Sequence, residues 1–160
     1  MSFKDAFRFD YEFIHQRIRE IIDKFDENLA FIRPSPDMNH ATWLLGHITW
    51  CEDFLIADVP YGKTYRNKEW DTVFEFGSKK LDRDKYPAYA EIRVQYEKVH
   101  DQVLRHFEEL PEESLSELIF YNDGHYSRMS FLVHFIEEGS THVGQLQYLY
   151  KILQLQKEGI

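Results

Sequence analysis

The sequence of 160 residues contains only one cysteine, seven glycines and five prolines. A single cysteine excludes an internal disulfide and a metal site made only of cysteines, and it is typical of the reducing cytoplasm, where we expect this protein to lie. The scarcity of glycine and proline disfavours an all-β architecture, which needs many tight turns. No uncharged apolar run approaches the roughly 18 residues of a membrane helix, and the N-terminus has no apolar signal segment, so no membrane partner is expected.

Basic residues are outnumbered, with 19 Lys and Arg against 28 Asp and Glu, which gives a formal net charge of −9. General binding to a phosphate backbone requires clustered Lys and Arg. The densest basic run, residues 79–85, is interrupted by Asp82 and Asp84. We therefore expect no nucleic-acid partner. Hydrophobic residues make up 43% of the chain, which is enough for a packed core, and there are eight histidines. With one cysteine, any bound transition metal would have to be held by imidazole and carboxylate groups.

Apolar residues recur at three- or four-residue spacing in four stretches, which predicts four helices. The predicted helices span residues 3–31, from 37 or 39 to 57, 87–110, and from 127 or 130 to 156. Residues 58–86 have little periodicity apart from one helical turn at 68–74, and residues 121–124 predict a turn between two short extended segments. One core formed by four helices predicts an all-α four-helix bundle, with residues 1–160 as a single domain.

The long connection at 58–86 has two interpretations. Long loops in compact domains are often functional. A long crossover between the second and third helices also lets neighbouring helices of a bundle run in the same direction, and we favour this interpretation.

The fourth predicted helix carries the main chemical signal. His134, Glu138 and His142 are spaced at i, i+4 and i+8, so they form one row along the helix. Apolar residues at 131, 135, 146, 149 and 153 put this row on or beside the buried face. A buried carboxylate is costly unless it is paired or bound to a metal.

The second predicted helix has a matching polar residue, because His47 interrupts the apolar stripe formed by Trp43, Leu44, Trp50 and Cys51. A histidine from one helix, with a carboxylate and a histidine from a facing helix, can build a metal site in the core of a bundle. Three protein ligands leave a coordination position open for water or substrate.

Each candidate also has a structural interpretation. His47 alone is typical of a hydrogen-bonded core histidine, and Glu138 with His142 is a common surface pair. His40 and His134 flank the proposed site, where they would border it or hold its ligands, and His134 is an alternative ligand. The other four histidines have no coordinating partner at helical spacing, so we expect surface or packing roles for them. They are His15, His100, His106 and His125.

These residues resemble the DinB/YfiT-like superfamily of metal-dependent proteins. The similarity lies in Trp43-Leu-Leu-Gly-His47 and in Glu138-x-x-x-His142-x-Gly144-Gln145-Leu, and it extends over essentially the whole chain. The resemblance implies a four-helix bundle in which the second and third helices are parallel. It also implies a divalent metal held by His47, Glu138 and His142. Zn²⁺ or Ni²⁺ is expected first, and Fe²⁺ or Mn²⁺ also suits these ligands. Position 138 departs from the commoner pattern of the superfamily, which has histidine there.

Two residues after His142 belong to the same motif. Gly144 is expected to permit a close approach between helices. Gln145 could hold His142 by a hydrogen bond or could serve a helix–helix contact.

The resemblance implies an enzyme acting on a small molecule. One expected activity is a thiol-dependent S-transferase, in which a metal lowers the pKa of a low-molecular-weight thiol; the other is a hydrolase that uses a metal-activated water. The alternative is a non-catalytic bundle, for a stress response or for dimeric interaction, with a vestigial metal site. The superfamily's name also suggests DNA repair, which the net charge of −9 opposes. Members of the superfamily often pair through their helices, so the resemblance also implies a homodimer.

Overall fold

A computed structural model describes residues 2–159, and it shows a predominantly helical chain, as predicted. The α-helices are α1 (Phe3–Ile22), α2 (Ala41–Asp53), α3 (Val59–Tyr61), α4 (Asp71–Phe74), α5 (Tyr89–Glu109) and α6 (Arg128–Lys157). Two strands, β1 (Leu118–Tyr121) and β2 (Gly124–Ser127), pair as an antiparallel hairpin. Residues Phe54–Asp58 are π-helical. Short 3₁₀ turns lie at Leu29–Phe31, Lys68–Trp70, Arg83–Lys85 and Glu112–Ser116.

Helix α1 is shorter than its apolar period predicts. The prediction that it reaches residue 31 is wrong, because α1 ends at Ile22. The Asp26 side chain accepts hydrogen bonds from the backbone N–H groups of Asn28 and Leu29, which favours a turn over a continued helix. Phe25 is nevertheless buried, so it continues the apolar pattern from a turn.

Helix α2 begins at Ala41 and not at residue 37 or 39, because His40 is its N-cap. The Nδ1 atom of His40 accepts a hydrogen bond of 3.0 Å from the Trp43 N–H. The helix passes directly into the π-helical segment and then into α3, which is followed by Gly62 with a left-handed φ of 66°. Glycine adopts this conformation without a steric cost, so the chain can turn away here.

The connection after α3 is anchored by one buried arginine. The side chain of Arg66 is 5% exposed and contacts the carboxylates of Asp53, Asp58 and Asp71 at 2.5, 2.9 and 2.8 Å. These contacts hold the connection against the C-terminal end of α2. The turn predicted at 68–74 is confirmed, as a 3₁₀ turn followed by α4.

The predictions for the second half of the chain are confirmed within about two residues, which is the usual uncertainty of helix ends. Asn122 and Asp123, with φ of 45° and 63°, form the predicted turn between two extended segments. Ser127 is the N-cap of α6 and accepts a hydrogen bond from the Ser130 N–H.

The core is formed mainly by the four long helices, and α2 packs against both α5 and α6 while α1 packs against α6. Helix α2 is therefore buried on almost every side, and Trp43 is its only residue that is not fully buried. Among the helices of residues 2–159, none combines the length and the apolar character that crossing a bilayer requires.

Candidate metal centre

The structure brings together the three residues that the sequence proposes as metal ligands. His47 lies in the middle of α2, and Glu138 and His142 lie on the facing side of α6. The Oε2 atom of Glu138 is 3.1 Å from His142 Nε2 and 3.9 Å from His47 Nε2. The two imidazole rings are perpendicular, with their centroids 4.8 Å apart. The carboxylate of Glu138 therefore lies between the two histidines.

Hydrogen bonds on the far side of each imidazole fix its orientation. His47 Nδ1 lies 2.6 Å from the carbonyl oxygen of Phe74, and His142 Nδ1 lies 2.9 Å from Gln145 Oε1. Because the carbonyl oxygen of Phe74 can only accept, Nδ1 of His47 donates to it, and Nε2 of neutral His47 presents its lone pair towards Glu138. Nε2 of His142 lies within hydrogen-bond distance of Glu138 Oε2. Hydrogen bonds at Nδ1 are typical of metal-bound histidines, whose tautomer they set.

Imidazole nitrogen and carboxylate oxygen are common ligands of divalent transition metals, so this donor set suits a divalent metal ion. Burial lowers the pKa of His47 to about 4, although the bond to the Phe74 carbonyl opposes this shift. His47 is therefore neutral near pH 7, which is the form that binds metals.

His134 contacts the second oxygen of the Glu138 carboxylate. Its Nε2 atom lies 3.4 Å from Oε1 of Glu138, while Oε2 faces the other two histidines. The side chains of His134 and Glu138 are 44% and 22% exposed. The centre is thus buried on the α2 side and accessible on the α6 side.

Cys51, which belongs to the apolar stripe of α2, is a further candidate ligand. Its Sγ atom lies 3.4 Å from His47 Nε2, and the ligand atoms of Cys51, His47 and Glu138 all lie within 4.8 Å of one another. Burial raises the pKa of the Cys51 thiol, so without a cation it stays protonated. Its spacing of four residues from His47 is the signal that could have identified it.

The contacts of His40 lie away from the three candidate ligands. Its side chain caps α2, and its ring packs against those of Phe31 and Tyr86. The expected role of Gly144 is wrong, because a Cβ atom at this position would meet nothing within 4 Å. The close approach occurs at Gly46, where a Cβ atom would lie 2.3 Å from the ring of Phe74.

An apolar cavity of about 360 Å³ lies beside the centre. His134 lines it, and so does Phe76, whose ring packs edge-on against His47 with a centroid distance of 5.2 Å. The π-helical segment, the hairpin and the first turn of α6 supply the other walls. The full lining consists of Phe54, Leu55, Phe76, Tyr121, Asn122, Tyr126, Ser130, Phe131 and His134. Cavities of roughly 300–1,000 Å³ with mostly apolar walls are typical of small-molecule sites.

Fold and centre together define a predominantly helical protein with a group of residues that could hold a metal ion. The family model described as the DinB superfamily matches residues 10–146, and the chain belongs to this superfamily. The fold is similar to that of a solved structure described as "Crystal structure of the conserved protein of locus from Enterococcus faecalis". The TM-score is 0.71 at 19% sequence identity, over 95% of this chain and 97% of the other. At this identity the likeness concerns the fold alone. No curated protein matches the chain.

Proposed function

We propose that this protein is a metal-dependent enzyme in which His47, Glu138 and His142 hold a divalent cation. The observation that carries the proposal is the approach of two Nε2 atoms to one carboxylate oxygen, with each Nδ1 within hydrogen-bond distance of an oxygen acceptor. Zn²⁺ and Ni²⁺ suit these nitrogen and oxygen donors best, and Fe²⁺ and Mn²⁺ are also compatible with them. The frame of the site would be a DinB-type four-helix bundle, with residues 58–86 as the crossover.

The reaction we favour is transfer of a low-molecular-weight thiol to an electrophile. A divalent cation lowers the pKa of a thiol or a water molecule and holds it as a nucleophile. The new carbon–sulfur bond forms as the leaving group departs, and the thiol proton must be accepted nearby. His134 borders both the cavity and Glu138, so its imidazole is placed to take up that proton. Hydrolysis at the same centre is the second reaction that these residues support.

The cavity favours a substrate with an apolar or aromatic part. Phe54, Phe76 and Phe131 provide ring faces and edges, while Asn122 and Ser130 provide polar groups at the wall. Such a mixture orients a small molecule by one polar end and buries the remainder. We therefore expect aromatic electrophiles to react better than small aliphatic ones.

The alternative is a non-catalytic protein that acts through dimer contacts. Exposed apolar side chains favour it, because Phe9 and Phe13 on α1 are 70% and 51% exposed and Val94 on α5 is 71% exposed. A homodimer formed through these helices is compatible with either function, since none of the three residues belongs to the centre.

Metal content separates the two functions. The folded protein is dialysed against Zn²⁺ or Ni²⁺ and then against buffer, and bound metal is measured by elemental analysis. We expect uptake by the wild-type protein and its loss in His47→Ala and His142→Ala. His125→Ala is the matched control, because His125 is exposed on β2. Wild-type uptake no greater than that of His47→Ala contradicts the proposal.

Activity is tested on the metal-loaded protein. Cysteine or glutathione is mixed with an aromatic electrophile, and the consumption of free thiol is followed colorimetrically. We expect metal-dependent consumption that His134→Ala reduces without removing the metal. Metal uptake without any thiol consumption or ester hydrolysis favours the non-catalytic alternative.

A further inference from the structure

A second cluster of coordinating side chains lies in the core and shares no residue with the centre described above. His15 of α1, Glu52 of α2 and His100 of α5 are 0%, 0% and 5% exposed. The rings of the two histidines lie 3.8 Å apart. Because the three residues come from three helices, their association depends entirely on the tertiary fold.

The donor atoms of this cluster surround one carboxylate oxygen. His15 Nε2 lies 3.4 Å and His100 Nδ1 lies 3.3 Å from Oε1 of Glu52. The ligand atoms of all three residues lie within 4.8 Å of one another. A tetrahedral ion with ligand distances of 2.0–2.1 Å separates neighbouring ligand atoms by about 3.3 Å. Both distances to the carboxylate oxygen match this separation.

Two atoms of the cluster are buried without a hydrogen-bond partner. They are Nε2 of His15 and Oε2 of Glu52. The other nitrogen of His15, Nδ1, lies 2.5 Å from the Tyr96 hydroxyl, so this bond fixes the ring with Nε2 directed at the carboxylate. Buried polar atoms are rarely left without partners, so these two atoms require an explanation, and a bound ion is one that the nearby donor atoms fit.

The charge of the cluster is also uncompensated. Within residues 2–159, no Lys or Arg forms an ion pair with Glu52. A buried carboxylate without a cationic partner is costly, and a divalent cation would supply the missing positive charge.

We propose that His15, Glu52 and His100 form a structural metal site for Zn²⁺ or a similar divalent transition-metal ion. The hydroxyl of Tyr11 occupies the fourth side of the cluster, since it donates a hydrogen bond to Oε1 of Glu52 and lies 3.1 Å from His100 Nδ1. A site closed on four sides by protein atoms is structural and not catalytic. The ion would join α1, α2 and α5, whereas the first centre joins α2 and α6.

The test uses a protein in which the first centre has been removed by His47→Ala and His142→Ala. Because the core cluster is closed to solvent, this double variant is unfolded in denaturant and refolded with Zn²⁺. Free and weakly bound metal is then removed by a chelator and gel filtration. We expect one Zn²⁺ per chain by elemental analysis, and loss of that ion when Glu52→Gln is added. Glu97→Gln is the matched control, since Glu97 is a half-exposed partner of Arg19.

Refolding with Co²⁺ provides a second readout that does not depend on the folding of the Glu52→Gln variant. The double variant refolded with Co²⁺ is expected to show the intense visible absorption bands of tetrahedral Co²⁺, and these bands should be absent when it is refolded with Zn²⁺ instead. A refolded double variant with native circular dichroism but without metal or cobalt bands overturns the proposal. Equal metal content with and without Glu52→Gln also overturns it. Neither result depends on metal binding at His47.

Discussion

Replacing Gly46 with alanine is expected to disturb the metal centre without touching a ligand. A Cβ atom here would lie 2.3 Å from Cε1 of Phe74, so the buried ring and the short helix α4 must shift. Overpacking of this kind costs about 1–3 kcal/mol, and the alanine recovers roughly 1 kcal/mol of helix propensity. We therefore expect a net loss of up to about 2 kcal/mol in the free energy of unfolding.

The same shift moves the Phe74 carbonyl, which accepts the hydrogen bond from His47 Nδ1. Loss of such a support typically weakens metal binding about 10–100-fold. Metal affinity is measured by competition with a chromophoric chelator, and stability by urea unfolding of the metal-free protein. Gly144→Ala is the control, because its Cβ meets no atom within 4 Å, so stability should rise with affinity unchanged. Wild-type metal affinity in Gly46→Ala would refute the role given to the Phe74 carbonyl.

Two further predictions concern the fold around the centre. Burial lowers the pKa of His40 from 6.5 to about 4. Between these pH values the unfolded chain therefore binds more protons than the folded protein. The free energy of unfolding should then fall as the pH drops from 6.5 to 4, by up to about 3 kcal/mol. His40→Asn retains an N-cap residue, and we expect urea unfolding of this variant to depend less on pH. An unchanged pH profile would contradict the role given to His40. Arg66→Met leaves the buried Asp53 unpaired and should lower the free energy of unfolding by about 3–5 kcal/mol. Arg93→Met, which breaks an exposed pair, should cost under about 1 kcal/mol, and equal losses would contradict the importance of burial.

The helices that periodicity predicts well are those whose ends also carry local signals. Helix α6 starts after Ser127, an ordinary N-cap, and its predicted start is confirmed. Helix α1 is predicted too long because Phe25 keeps the apolar period after the helix has ended. Helix α2 starts later than predicted because a histidine, His40, caps it in place of Asp37 or Asn39.

The sequence shows candidate ligands only where they share a helix or interrupt an apolar stripe. Glu138 and His142 satisfy the first condition, and His47 satisfies the second. His15 and His100 lie on the buried faces of α1 and α5, but neither has a coordinating partner on its own helix, because Glu52 lies on a third helix. The predicted surface or packing role describes their burial but not their contact with a carboxylate. Only the three-dimensional structure reveals a cluster whose members are separated by tens of residues.

The carboxylates of the fold differ in what balances their negative charge. This difference separates Asp53, which is paired with Arg66, from Glu52 and Glu138, which belong to the two candidate metal sites. Consecutive side chains of a helix point about 100° apart, so Glu52 and Asp53 face different neighbours. Asp53 faces the guanidinium of Arg66, and its charge is paired. Within residues 2–159, the ion-pair partners of Glu52 and of Glu138 are histidines only. Because neutral imidazole cannot balance a carboxylate, these two sites need a proton or a cation, and each has at least two nitrogen donors placed around the oxygen to hold it.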